Sequence, residues 1–172
     1  MNAPNTTDIE IAVAHHFNPR TNLVVPNVWW GMGFAHECDL FVLTKAGYGY
    51  EVEIKVSRAD LKKDREKDHG HRSKKLKKLY FAIPEKLLEN KEFIPERAGI
   101  FVITPSTCSR GWRAKKVREA ETCGSYKFSA EERFQIVRLA ALRIFPLKER
   151  LAELQKQKTF QTELAINEGD CL

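Results

Sequence analysis

A mixed α/β fold, with a central sheet flanked by helices, is predicted by three features of the sequence. Residues 37–55 read as a β-hairpin, and two apolar β-prone runs follow at 78–83 and 98–104, each ended by a proline. Helix-start signals lie before, between and after these runs, giving the order strand, strand, helix, strand, helix, strand within a mixed sheet.

The first helix is expected in Thr7-Asp8-Ile9-Glu10-Ile11-Ala12-Val13-Ala14-His15-His16-Phe17, where Thr7 and Glu10 have capping-box spacing. In the hairpin, two alternating runs flank Lys45-Ala46-Gly47, whose glycine supplies the left-handed conformation such a loop needs. Centring the loop on Ala46 sets Val42 opposite Tyr50, Leu40 opposite Val52, Asp39 opposite Glu53 and Glu37 across from Lys55. The period of two then puts Leu40, Val42, Val52 and Ile54 on one face, and Glu37, Asp39, Glu51, Glu53 and Lys55 on the other.

Ser57 and Asp60 open a helix over 57–68. Pro84 ends the next strand and starts a short helix to about Asn90, and Pro105 closes the strand after that. Residues 112–117 form a charged edge strand, whose Arg110, Arg113, Lys115, Lys116 and Arg118 serve either nucleic-acid contact or protection of an open edge. Ser129 and Glu132 cap a helix to Phe145; Pro146 restarts it, and Leu147, Leu151 and Leu154 carry an apolar stripe that fades by Lys158. That stripe fits core packing or a homodimer contact through the C-terminal helices. Residues 159–172 read as a weakly ordered tail.

Asp39 opposite Glu53 is unfavourable in a bare sheet by about 0.2–1 kcal/mol. A divalent cation reverses that sign, and magnesium takes a few carboxylate oxygens while leaving positions for water or phosphate. Lys55, two residues beyond Glu53 on the same face, can orient or deprotonate a water or neutralise charge on phosphorus. The plain alternative is a solvated outer face with a weak surface ion pair.

The chain has 172 residues, 42% hydrophobic and 30% charged, enough for one core and too few for two ordinary domains. Its net charge of +6 is concentrated after the hairpin, where Lys62, Lys63, Arg65, His71, Arg72, Lys74 and Lys75 form a basic tract suited to phosphate contact. Four scattered cysteines give neither a zinc pattern nor a disulfide framework, and no leader or membrane-length apolar run is visible, so a reducing cytoplasm is expected. His69 and His71 lack sequence neighbours that would complete a zinc site, while His36 precedes the strand that carries Asp39. Trp29 and Trp30 fit core packing or a loop lid better than base stacking. A glycine-rich phosphate loop is absent, so nothing supports an ATP-driven motor.

At Asp39, then Glu53-Ile54-Lys55, then Val56-Ser57-Arg58-Ala59-Asp60-Leu61, the chain resembles the PD-(D/E)XK nuclease superfamily, most closely its small single-domain bacterial and phage members. Residues 80–85 and 95–100 also fit that group, and the resemblance spans about 7–104; Cys38 stands where many members carry proline. It implies a restriction-endonuclease-like core within a single domain over 1–158, with a C-terminal helical extension over 129–158. It further implies magnesium, replaceable by manganese, held by Asp39, Glu53, the Ile54 backbone carbonyl and an extra acid, either Glu10 or Glu37. Lys55 would position the water for in-line attack leaving a 5′ phosphate, with DNA as the expected substrate and RNA left open. Glu51 is less favoured because it lies farther along the strand, opposite Phe41. The competing expectation is a non-catalytic nucleic-acid-binding module on the same scaffold.

Overall fold

The structure, a computed structural model, describes residues 3–29, 32–34, 36–67, 71, 73–106 and 111–169, with side chains described as far as 159. Expectations that fall on Trp30, His69, Arg72 and Arg110 lie outside the described residues.

Helix α1 (Thr6–His16) is followed by strands β1 (Leu23–Val28), β2 (Cys38–Leu43) and β3 (Gly49–Ile54), helix α2 (Arg58–Arg65) and strand β4 (Leu76–Pro84). A 3-10 segment (Glu85–Phe93) leads to β5 (Gly99–Ser106), β6 (Gly111–Arg118), α3 (Ala130–Leu142) and α4 (Ile144–Gly169). The six strands form one sheet in sequence order. The pairs β3–β4 and β4–β5 are parallel, while β1–β2, β2–β3 and β5–β6 are antiparallel. Parallel neighbours need a crossover, and α2 and the 3-10 segment supply them.

The hairpin register is the expected one: Leu40 pairs with Val52, Phe41 with Glu51 and Val42 with Tyr50. Thr44 and Tyr48 close the loop through an amide-to-carbonyl bond of 2.9 Å, and Gly47 takes a φ of +87°. Gly49 is required for a different reason, because a Cβ there would sit 2.7 Å from the Phe128 ring and 2.9 Å from that of Phe41.

Two hydrophobic layers enclose the sheet. Leu40, Val42, Val52 and Ile54 pack with Ile9, Ala12 and Val13 of α1 and with Tyr80, Ala82 and Phe101. On the opposite face, Leu79, Phe81, Ile83, Ile100 and Val102 pack with Leu61 of α2 and Leu87 of the 3-10 segment. β4 and β5 are covered on both sides, which is why they read as unbroken apolar runs. Glu51 and Glu53 lie opposite Leu79 and Phe81 in the parallel register, so they belong to the α2 face. Of that face, Glu51, Glu53 and Lys55 are buried, Asp39 is half-buried and Glu37 is exposed.

Two local expectations need correction. The first helix is capped by Asn5: its side chain accepts the Asp8 amide at 2.9 Å, and Asp8 accepts the Asn5 amide at 3.0 Å. Glu10 is therefore not committed to a cap. The edge strand expected over 112–117 is β6, which completes the sheet, and the first compact unit, Met1–Ile136, buries Ala120, Phe128 and Ile136. Trp29 is 55% exposed, which removes core packing and leaves the loop-lid alternative.

The second unit, Val137–Leu172, holds the end of α3 and α4. Pro146 is the third residue of α4, where no intrahelical amide bond is lost. The α4 backbone stays helical through Gly169, past the point where the leucine stripe fades. Leu147, Leu151 and Leu154 are exposed. Among the described residues, no helix is long and apolar enough to cross a membrane.

The cap assignment makes a direct prediction. In urea unfolding, Asn5→Ala costs about 1 kcal/mol, whereas Thr7→Ala costs only a few tenths, roughly the scale of a surface change. Equal losses at the two positions would contradict the cap.

Candidate active site

Lys55 leaves the end of β3 still bound to the ladder, its amide donating to the Ala82 carbonyl at 3.1 Å. Its side chain turns inward, and the ammonium lies 2.6 Å from Glu53 Oε2, 3.0 Å from Asp64 Oδ1 and 3.7 Å from Asp39 Oδ2. Asp39 is fixed by the same strand end, since its Oδ2 accepts the Ile54 amide at 2.8 Å. Asp39, Glu53 and Lys55, expected on one face of the hairpin, are thus brought together.

Asp64 arrives from α2. Ser57 caps that helix by accepting the Asp60 amide at 3.2 Å, which starts the helix just past Lys55 and turns Leu61 and Asp64 toward the sheet. Besides Lys55, Asp64 binds Lys67 at 2.6 Å and the Nε2 atom of His71 at 2.7 Å. The Nδ1 atom of His71 lies 3.1 Å from Glu51 Oε1, 3.2 Å from His36 Nε2 and 3.7 Å from Glu53 Oε1. His36 also contacts Glu51 directly.

The electrostatics follow from this packing. Burial raises the Glu53 carboxyl to about 7, the negative charge of Asp39 adds to the rise, and Lys55 only partly offsets it. Burial alone would lower the Lys55 pKa, but the carboxylates around it, Glu53 first, hold it above the usual lysine value. Burial works against the imidazolium of His71 as well, yet its hydrogen bonds to Asp64 and Glu51 raise it to about 9. For Asp64 and Glu51, burial favours the neutral acid, but their hydrogen-bond partners prevail and both stay below the ordinary carboxylate range.

Of the two candidate extra acids, Glu10 is the one that senses the site. Its carboxyl is raised by burial and then by the charge of Asp39. Glu37 is exposed and enters none of these contacts among the described residues.

Several other expectations change. Glu51 is opposite Phe41, as expected, but it is fully buried and central to the network. His71 is not a phosphate contact on a basic surface; it is 3% exposed and held between Asp64 and Glu51. Lys75 is also engaged internally, donating to the Met32 carbonyl at 3.0 Å and to Glu132 at 2.7 Å. Lys62, Lys63, Arg65 and Lys74 remain exposed. A cavity of about 350 Å³ opens beside His71, lined in part by Ser73, Lys74, Lys78 and Arg97.

Sequence reasoning missed Asp64. Its one local signal was helical phase, because Asp64 follows the apolar Leu61 by three residues and so shares its buried side. Removing it strands Lys55, Lys67 and His71 without a shared anion. Asp64→Ala is therefore expected to cost about 3–5 kcal/mol in urea unfolding, against about 0.5 kcal/mol or less for the exposed Lys62→Ala. A small loss at Asp64 would show that the network does not hold the fold together.

Neither a family model nor a curated protein matches the chain. A solved structure described as the SPO1766 protein of unknown function from Silicibacter pomeroyi is similar, with 19% sequence identity and a TM-score of 0.58. The match covers 92% of this chain and 96% of that one. At this identity the likeness speaks to fold alone: the chain has a mixed α/β fold, with a central six-stranded mixed sheet flanked by helices.

Proposed function

We propose that the protein is a magnesium-dependent nuclease with a restriction-endonuclease-like core, hydrolysing phosphodiester bonds in DNA. The observation that carries this reading is the meeting of Asp39 and Glu53 around the Lys55 ammonium at the end of β3. In open α/β sheets, ligands bind beyond the carboxyl ends of parallel strands, and β3 is such a strand. The order of α1, the β1–β3 antiparallel strands, α2 and the parallel β4 also agrees with the superfamily resemblance.

The residues fit a hard cation. The Asp39 and Glu53 carboxylates both border the Lys55 ammonium, and the buried Glu53 Oε1 lacks a hydrogen-bond partner among the described residues. Asp39, Glu53 and the Ile54 carbonyl would hold magnesium, with Glu10 as the extra acid. When bound, the ion polarises the phosphoryl group and acidifies water. Asp39 keeps its orientation through the Ile54 amide. Lys55, fixed by Glu53 and Asp64, holds a positive charge where a water and the developing phosphorane charge would lie. The exposed Lys62, Lys63, Arg65 and Lys74 would contact backbone phosphates without reading bases.

The test is cleavage of single-stranded, duplex and branched DNA by purified protein in magnesium or manganese. Asp39→Ala, Glu53→Ala and Lys55→Ala should each lower the rate by at least about 100-fold, with circular dichroism reporting a retained fold. Salt-sensitive DNA binding with no cleavage and no response to magnesium or Lys55→Ala would instead favour a binding module.

A further inference from the structure

The Asp39–Glu53–Lys55 group leaves the buried Glu51 and His71 without a role. His36, from the loop before β2, Glu51 and Glu53, from β3, and His71, from beyond α2, present ligand atoms that all lie within 4.8 Å of one another. Three of the separations are 3.1, 3.2 and 3.7 Å. A tetrahedral ion with bonds of about 2.1 Å spaces its ligands about 3.4 Å apart, so the side chains need only small adjustments to surround one.

Two further features point to a ligand. Glu51 and Glu53 are 0% and 1% exposed, yet Glu51 Oε2 and Glu53 Oε1 have no hydrogen-bond partner among the described residues. The far nitrogen of His71 is bonded to Asp64, and Lys55 and Lys67 hold that carboxylate in turn. Metal-bound histidines use this outer carboxylate to fix ring orientation and strengthen the ligating nitrogen.

The donor set differs from that around Asp39. Magnesium favours oxygen and water, whereas paired imidazoles with carboxylates suit first-row transition ions. We propose that His36, Glu51, Glu53 and His71 form a second centre, which takes a transition-metal dication of the zinc class in preference to magnesium. Glu53 joins the two halves, with Oε2 on Lys55 and Oε1 turned toward His71. The ion ties the loop carrying His36 and the segment carrying His71 to β3. This inference goes beyond the nuclease reading and does not require cleavage.

Full-length protein stripped with a chelator is dialysed against zinc in excess magnesium. About one zinc per chain is expected, bound at least about 10-fold more weakly in His36→Ala and His71→Ala. Zinc should raise Tm in the wild type but not in His36→Ala, whose position in a loop makes it the safer variant if His71→Ala fails to fold. X-ray absorption at the zinc edge should show imidazole scattering. Asp39→Asn should retain zinc within about threefold while losing cleavage, because Asp39 is not among the four ligands. Zinc on the histidines of a protein that cleaves no nucleic acid would support the centre and remove only the nuclease reading. Zinc displaced by magnesium, bound without an imidazole signature, lost in Asp39→Asn or unaffected by the His36 change would overturn the proposal.

Discussion

One ammonium organises this molecule. Lys55 Nζ sits among the carboxylates of Glu53, Asp64 and Asp39, and through them it connects β2, β3 and α2. A single buried charge is costly, but a network whose members satisfy one another can be kept inside a fold. Here the second cation, Lys67, and the imidazole of His71 complete the network around Asp64. Lys55 holds Glu53 while His36 and His71 hold Glu51, so two acids stand side by side on β3 where a sheet would ordinarily bury aliphatic side chains.

The two faces of β3 consequently do different work. Val52 and Ile54 anchor the strand to α1, and this apolar layer fixes its height and register. Glu51, Glu53 and Lys55 point the other way, under α2 and the His71 segment. β3 thus presents Glu51, Glu53 and, just past its end, Lys55 on alternating residues, while β2 adds Asp39, α2 adds Asp64 and the segment beyond it adds His71. The apolar layer on the α1 face is built without these groups and gives them a fixed strand to stand on, as precise positioning requires.

Local rules made the hairpin legible. A period of two and a three-residue loop determine which residues face one another, so Asp39, Glu53 and Lys55 could be grouped before any tertiary contact was known. Capping was less secure, because Asn5-to-Asp8 and Thr7-to-Glu10 share one spacing and only the folded chain selects between them. β1 was not anticipated, since Pro26 interrupts a short apolar run; an edge strand tolerates that proline. Glu51, Asp64 and His71 were illegible as a group for a different reason. They meet because the chain beyond α2 returns over β3, which no local spacing encodes.

The most direct examination of the Asp39–Glu53–Lys55 arrangement is crystallographic. Crystals grown with manganese, measured on both sides of its absorption edge, should show an anomalous peak bonded to Asp39 and Glu53, with the Lys55 ammonium beside it. Well-ordered Asp39 and Glu53 side chains with no such peak at millimolar manganese would contradict the account.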